Sequence, residues 1–372
     1  MSDKPVLILH IGPGKTGTSA IQHWLLSQAD ELRDQGYFYP VPSSLGLFEG
    51  NASALAQILL KSERIEECDL EKEILNLLAT YVDNLRLTPD NTLLLSAEQM
   101  AGVTAGNLRI FNEIAGRLFS VKIIMSVRHP YPWLWSVWGQ FVKRSAEHRK
   151  FNVFADTNIR AYNSLVKFLE IFDNVILLPY SNQLIIGEFA RAIGIDVALL
   201  DVTSAQSQKI NRSLTRSELD FLLSINRICK SPRVSTRISD YMIMRRPDEV
   251  AHLEVNSDVL NFVEHACKST IQRFEKLSPG STGWCPENNQ HDLRSHTKNE
   301  IVVTPDVLEY SLKVVEQEIE ERILADLRSQ TTVSAAQISS EYVKPRWPAF
   351  IRIPYRWIRK KKASLAGGRK KG

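Results

Sequence analysis

Cysteine is scarce in this chain, and long apolar runs are missing from it. The 372 residues include four cysteines: Cys68, Cys229, Cys267 and Cys285. No two of them have the spacing of metal ligands, and they are too few for a disulfide framework, so we expect free thiols in a reducing compartment. No apolar run is long enough to span a bilayer, and the first residues lack the apolar core of an export signal. These absences predict a cytoplasmic globular protein.

Acidic residues are absent from one end of the chain. Residues 344–372 contain eleven Lys or Arg and no Asp or Glu, whereas residues 1–343 hold 35 of the 46 basic residues and all 42 acidic ones. The body of the protein is therefore acidic, and we expect no nucleic-acid partner. The overall composition, 44% hydrophobic and 24% charged, is that of a globular protein and excludes a disordered or collagen-like chain.

Short apolar segments alternate with segments of helical periodicity over the first 200 residues. The predicted strands are 5–11, 91–96, 121–127 and 175–179. The predicted helices are 17–35, 52–61, 69–86, 131–145, 157–172, 182–193, 215–229, 255–275 and 305–327. Strands that are apolar throughout and alternate with helices are typical of a parallel sheet covered on both faces. We therefore expect a three-layer α/β fold with a central four- or five-stranded parallel sheet flanked by helices, and a helical C-terminal half.

The same pattern predicts the domain organisation. We expect one α/β domain over residues 1–330, with its core motifs at 5–230 and a helical, substrate-side region at 231–330. A linker and a basic, aromatic tail follow at 331–372. Basic residues within 230–300 indicate either a surface for an acidic glycan or an ordinary solvated face.

A glycine-rich segment, Gly-Pro-Gly-Lys-Thr-Gly-Thr-Ser at 12–19, connects the first predicted strand to the first predicted helix. Small residues let backbone amides approach an anion, and a helix N-terminus adds partial positive charge. Lys15 supplies a full charge, and Thr16, Thr18 and Ser19 supply hydroxyl donors. The segment therefore predicts a site for a phosphate or sulfate group, the alternative being a tight turn with an exposed lysine.

The Walker A pattern of ATP- and GTP-binding loops does not fit this segment, because Leu9 and not glycine stands five positions before Gly14. A nucleotide-dependent kinase with an atypical phosphate loop is nevertheless an alternative. Such an enzyme needs carboxylates for Mg²⁺, and no Asp ends a predicted central strand. Ser96 and Glu98 come nearest to that position.

An early Lys followed by Thr-Gly-Thr-Ser after a strand resembles the 5′-phosphosulfate loop of sulfotransferases, which use 3′-phosphoadenosine-5′-phosphosulfate (PAPS) as donor. That family has a second motif, in which a strand ends in Arg, a Pro follows, and a Ser lies eight residues after the Arg. Here the strand at 121–127 is followed by Arg128 and Pro130, and Ser136 lies eight residues after Arg128. The resemblance covers about residues 5–230 and implies a P-loop-like fold.

The resemblance implies transfer of a sulfuryl group from PAPS to a hydroxyl or amine acceptor, with a polysaccharide or a glycolipid among the candidates and with no metal. Ala20 stands where cytosolic family members carry an adenine-stacking Trp, which favours a bacterial-type or carbohydrate-type branch. Arg128 and Ser136 would bind the donor's 3′-phosphate. The full set of implied donor-binding residues is Gly14, Lys15, Thr16, Gly17, Thr18, Ser19, Arg128, Ser136, Lys209 and Arg212. For Lys209 and Arg212, a charged helix N-terminus is the alternative role.

Two residues are candidates for the chemistry itself. Lys15 would stabilise the charge that develops on the donor's bridging oxygen. Glu98 follows the second predicted strand and so lies at the rim where ligands of open parallel sheets bind, in a position to orient or deprotonate the acceptor. A carboxylate at a helix N-terminus, or a structural partner of a basic residue, is the alternative for Glu98. His10 lies within the first predicted strand, and we interpret it as a core histidine.

The tail alternates aromatic and basic side chains over residues 345–362, and its three prolines prevent one long helix. That composition suits an anionic membrane surface, at which each basic residue contributes about 1 kcal/mol. The sequence thus predicts peripheral binding at the inner membrane face through 344–372, with a disordered tail as the alternative. A non-enzymatic alternative for the whole protein is a membrane-surface protein that kept the fold and lost the chemistry.

Deletion of residues 344–372 tests the membrane prediction. The full chain should sediment with anionic vesicles at low salt and be released as salt rises, because the attraction is electrostatic. The shortened chain should stay in the supernatant with an unchanged melting temperature, and neutral vesicles serve as the control. The prediction is contradicted if the full chain does not sediment with anionic vesicles at low salt.

Overall fold

The computed structural model describes residues 4–41, 51–60, 67–86, 91–180, 184–195, 212–249, 251, 253, 255–283 and 304–331. The chain divides into two units, Met1–Glu316 and Gln317–Gly372. The sheet and the candidate site belong to the first unit. In the second, the described residues continue a helix in which Arg322 pairs with Glu318 one turn earlier. Two predictions, Lys209 as a donor ligand and the tail at 344–372, fall outside the described residues.

Five parallel strands form one sheet in the order β2-β3-β1-β4-β5. They are β1 (Val6–Ile11), β2 (Tyr37–Phe38), β3 (Thr92–Ser96), β4 (Ser120–Val127) and β5 (Val175–Pro179). The predicted α/β fold with a central parallel sheet is confirmed, at five strands. The strand missing from the sequence prediction is β2, because two residues are too few to make an apolar run.

Helices cover both faces of the sheet and make up the C-terminal half, as predicted. They are α1 (Thr18–Ser27), α2 (Ala29–Asp34), α3 (Ser53–Leu60), α4 (Glu67–Arg86), α5 (Ala105–Leu118), α6 (Pro130–Arg144), α7 (Phe151–Asn163), α8 (Val166–Ile171), α9 (Ile185–Ile193), α10 (Arg216–Cys229), α11 (Pro232–Arg245), α12 (Ser257–Leu277) and α13 (Pro305–Thr331). A short 3₁₀ helix spans Glu98–Gly102. The helix predicted at 17–35 is two helices, and α5 and α11 lie where the sequence predicted none. No helix in the described part of the chain has the length and apolar character needed to cross a bilayer.

The alternation of side chains along the central strands builds two apolar cores. Leu7 and Leu93 belong to the larger core, whereas Ile8 and Leu94 belong to the smaller one, which α1 and α9 cover. Consecutive residues of β1 are thus buried on opposite faces, as the continuous apolar run predicted. Burial of each such side chain contributes about 1.5–3 kcal/mol to the free energy of unfolding.

A buried histidine joins the three central strands near their carboxyl ends. His10 on β1 is fully buried, with Nδ1 2.9 Å from Ser96 Oγ on β3 and Nε2 3.0 Å from Ser126 Oγ on β4. Gln22 on α1 donates to the same Ser96 hydroxyl at 3.1 Å. The contacts agree with the interpretation of His10 as a core histidine. Burial lowers its pKa to about 3, so the ring is neutral in the folded protein at neutral pH.

The low pKa of His10 predicts loss of stability in mild acid. In the unfolded chain the imidazole is protonated below about pH 6.5, whereas in the folded protein it is protonated only below about pH 3. The free energy of unfolding therefore falls as the pH falls between these values. The slope from one such histidine is about 1.4 kcal/mol per pH unit. Urea unfolding between pH 7 and 5 should give a shallower pH slope for His10→Gln than for the unmodified protein. The exposed His23→Gln variant is the control, and an equal slope in all three proteins contradicts the prediction.

Candidate functional site

The segment between β1 and α1 is a tight loop with two residues in the left-handed region. Lys15 has φ of 74° and Gly17 has φ of 82°. Gly17 is the N-cap of α1, and it provides no side-chain acceptor for the first-turn amides. A Cβ at Gly17 would also lie 3.1 Å from Ile185 Cγ1, so a larger residue would be strained there. The loop thus leaves the helix N-terminus without a side-chain cap, which suits an anion.

Two of the predicted hydroxyl donors lie underneath the loop. Thr16 and Thr18 are buried, and Thr16 Oγ1 donates to the Pro13 carbonyl at 2.7 Å. The two threonine oxygens are 3.4 Å apart. A Cβ at Gly12 would lie 2.7 Å from Thr16 Oγ1, so only glycine fits there. The contact to Pro13 gives Thr16 a part in fixing the loop's shape.

Glu98 lies against the loop from the neighbouring strand end. It begins the 3₁₀ helix that follows β3, and its Oε2 would be 3.3 Å from a Cβ placed on Gly14. Its Oε1 accepts a long hydrogen bond, 3.4 Å, from Ser19 Oγ on α1. The structure therefore brings together the loop, the Ser19 hydroxyl and the Glu98 carboxylate, which the sequence had placed at one rim.

Burial and mutual attraction shift the pKa values of the two candidate catalytic groups in opposite directions. Burial raises the pKa of Glu98, and the Ser19 hydrogen bond and the charge of Lys15 counteract it. Burial lowers the pKa of Lys15; Glu98 counteracts that shift and Arg144 adds to it. A carboxyl whose pKa is raised toward neutrality is a more effective general base at neutral pH.

Arg128 extends from the end of β4 toward the same loop. Its Nη1 lies 3.5 Å from the Lys15 carbonyl, at the limit of a hydrogen bond. Its guanidinium carbon lies 4.6 Å from the centre of the Tyr180 ring, a cation–π contact. Tyr162 fixes the backbone by donating to the Arg128 carbonyl at 2.8 Å. The guanidinium makes no close ion pair with a described carboxylate, so its charge is available to a ligand.

Helix α6 follows Arg128 and supplies both Ser136 and Trp133. Ser136 is half-buried, and its hydroxyl has no hydrogen-bond partner in the described residues. Trp133 is nearly buried, and its indole N–H donates to the Gly14 carbonyl at 3.0 Å. Trp133 therefore connects α6 directly to the glycine loop.

A cavity of about 760 Å³ opens beside the loop. Its lining includes Gly14, Glu98 and Trp133 at one end and Lys167 and Glu170 on α8. Lys167 donates to the Ala101 carbonyl at 2.8 Å, and Glu170 pairs with Arg273 at 2.6 Å. Of the carboxylates in this lining, Glu98 is the one that borders the glycine loop.

The sequence predicted Arg212 as a donor ligand or as part of a charged helix N-terminus. In the structure its guanidinium pairs with both carboxylate oxygens of Glu218, at 2.7 and 2.8 Å. It also donates to the carbonyls of Ser213, Met242 and Arg246. These contacts use all five N–H donors, and Thr215 and Glu218 form a capping box at the start of α10. The contacts favour the helix N-terminus role for Arg212.

Sequence reasoning missed Lys143, in the last turn of α6. The residue is 6% exposed, and of the charges that shift the pKa of its ammonium, that of Lys15 has the largest effect. Basic residues are common in the last turn of a helix because they interact favourably with the helix dipole. No signal in the sequence therefore distinguishes Lys143 from other lysines.

The comparisons with known proteins assign the chain to no family. No protein-family model matches it, and no curated protein is significantly similar to it. Within the described residues, no group of three His, Cys, Asp or Glu side chains is placed to hold a metal ion. The site is therefore characterised by its own geometry: a glycine loop, a carboxylate against it, and several cations around it.

Proposed function

We propose that the protein is a sulfotransferase that moves a sulfuryl group from PAPS to a hydroxyl or amine. One observation carries the proposal: the glycine loop with Lys15, the Glu98 carboxylate and the Arg128 guanidinium meet at the carboxyl ends of three adjacent parallel strands. Ligands of open parallel α/β sheets bind at this rim. A cavity that Glu98 borders leads to the same point.

The donor would lie along the loop and the start of α6. Lys15 and the uncapped amides of α1 would bind the 5′-phosphosulfate, which carries negative charge on both its phosphate and its sulfate. Arg128 and Ser136 would bind the 3′-phosphate. A guanidinium offers several N–H donors in a fixed plane, which suits a phosphate better than a point charge does. The Ser136 hydroxyl lies two turns into α6 and has no hydrogen-bond partner among the described residues, which supports this assignment.

The acceptor would enter through the cavity with its nucleophilic atom near Glu98. As that atom forms its bond to sulfur, the bond from sulfur to the bridging phosphate oxygen breaks. The acceptor's proton passes to the Glu98 carboxylate, and the bond's electron pair stays on the bridging oxygen of adenosine 3′,5′-bisphosphate. Lys15 would stabilise the charge on that oxygen, which is largest in the transition state and product.

Replacement of Arg128 tests the 3′-phosphate assignment. Arg128→Ala should weaken binding of adenosine 3′,5′-bisphosphate by about 1.5–3 kcal/mol, as for a lost hydrogen bond to a charged group, and leave AMP binding nearly unchanged. Calorimetric titration of both nucleotides measures the difference, with the exposed Arg109→Ala on α5 as the control. Equal losses for both ligands would remove Arg128 from the 3′-phosphate site. An unmodified protein that prefers ATP would instead favour the kinase alternative.

Replacement of Glu98 and Lys15 separates chemistry from binding. Glu98→Gln keeps an acceptor for the Ser19 hydroxyl but cannot act as a base, so turnover should fall by roughly 10²–10⁴-fold with little change in nucleotide affinity. Lys15→Met should reduce turnover by more than it weakens binding of the product nucleotide, because part of its interaction exists only in the transition state. Turnover, nucleotide affinity and melting temperature are measured on each variant. A stable Glu98→Gln protein with normal turnover would exclude Glu98 as the base.

A further inference from the structure

Lys143 is a buried lysine whose ammonium has no partner among the residues that the structure describes. Its side chain is 6% exposed, yet no described residue accepts a hydrogen bond or forms an ion pair with its ammonium. Lys143 Nζ is not one of the fully enclosed polar atoms that lack a hydrogen-bond partner in the described residues. The ammonium nitrogen is therefore accessible to solvent, although most of the residue is covered.

The charges around Lys143 are mostly of its own sign. Burial lowers its pKa to about 8; Lys15, Arg144 and Arg212 lower it further, and Asp240 counteracts them. The Asp240 carboxylate is already paired with Arg144 at 2.7 Å. An unpaired charge that is removed from water costs free energy, and like charges nearby add to that cost. A bound anion would offset both.

The surrounding helices hold this part of α6 rigidly. Asn226 on α10 donates to the carbonyl of Val142 at 2.9 Å, and Thr236 on α11 donates to the carbonyl of Lys143 at 3.4 Å. Arg144, the next residue, is fixed by Asp240. A lysine whose backbone is held on both sides and whose side chain is covered loses little further conformational entropy when its ammonium binds a ligand.

We propose that Lys143 binds a tetrahedral oxyanion, the phosphate or sulfate group of a ligand. The identity of the ligand rests on the proposed function. Two sources of the anion are compatible with that function. Ser136 lies two turns before Lys143 on nearly the same face of α6, so the anion could be the donor's 3′-phosphate. Otherwise it is an anionic group on the acceptor.

The test uses the full chain and the variants Lys143→Met and Lys143→Arg. Lys122→Met is the matched control, since Lys122 is a half-buried lysine that already donates to the Ala192 carbonyl at 2.8 Å, outside the site. Affinities are measured for inorganic sulfate, adenosine 3′,5′-bisphosphate and AMP at constant ionic strength. Lys143→Met should weaken binding of at least one anion about tenfold or more, and the other two variants should bind nearly normally.

The pattern of losses identifies the source of the anion. A loss for adenosine 3′,5′-bisphosphate but not for AMP assigns Lys143 to the donor's 3′-phosphate. A loss for sulfate alone, with both nucleotides unaffected, assigns it to a separate subsite for the acceptor. Unchanged affinities for all three ligands overturn the proposal. If Lys143→Met does not fold, the unmodified protein still decides: a melting temperature that sulfate raises no more than chloride does also overturns it.

The same measurements distinguish this proposal from the proposed function. If the protein binds adenosine 3′,5′-bisphosphate through Lys143 but transfers no sulfuryl group, the anion site is supported and the proposed sulfotransferase activity is wrong. If the unmodified protein transfers sulfuryl groups and Lys143→Met leaves all anion affinities unchanged, the sulfotransferase activity is supported and the anion site is wrong.

Discussion

The buried contact of His10 with Ser96 and Ser126 fixes the three strand ends from which the site is built. Each serine lies two residues before a charged residue of the site: Ser96 before Glu98, and Ser126 before Arg128. Because the neutral imidazole bridges β3 and β4 from β1, the relative positions of these ends are set by hydrogen bonds in the core. The loop that carries Lys15 starts from the same strand as His10. A displacement of one strand would move its charged residue away from the loop.

Positive charge exceeds negative charge around this rim. Among the described carboxylates, Asp240 pairs with Arg144 and Glu218 pairs with Arg212, whereas Glu98 lies against the loop. Lys15 and Arg128 then face a region that burial has partly desolvated, where each charge acts over a longer range than in water. Such a region binds an anionic ligand more strongly than a solvated surface with the same charges would.

The sequence was sufficient to predict the elements with strong periodic signals. The central strands β1, β3 and β4 are continuous apolar runs, and the glycine loop follows from its small residues between a strand and a helix. The sequence was insufficient where tertiary contacts decide. Two residues make β2 a strand because the edge of β3 pairs with them, not because of their own propensity.

Side-chain roles in the site show the same limit. Arg212 is a basic residue before a helix, and only the fold reveals that Glu218 and three carbonyls occupy its donors. Lys143 shows the converse. Its position in the last helical turn has an ordinary explanation, whereas its burial beside α11, with no partner for its ammonium in the described part of the chain, depends on how distant segments pack. A pattern of residue types along the chain contains neither fact.

Helix α6 separates two kinds of surface around the loop. At 100° per residue, Ser136 and Lys143 lie within about 20° of each other, whereas Trp133 lies about 60–80° away from them. Trp133 faces the cavity and holds the loop through the Gly14 carbonyl, on the side that Glu98 borders. Ser136 and Lys143 therefore lie on a neighbouring face of the helix, beside the one that borders the cavity. If the proposed transfer is correct, an anion at Ser136 and Lys143 and an uncharged group in the cavity would contact neighbouring faces of one rigid helix, beside the same glycine loop.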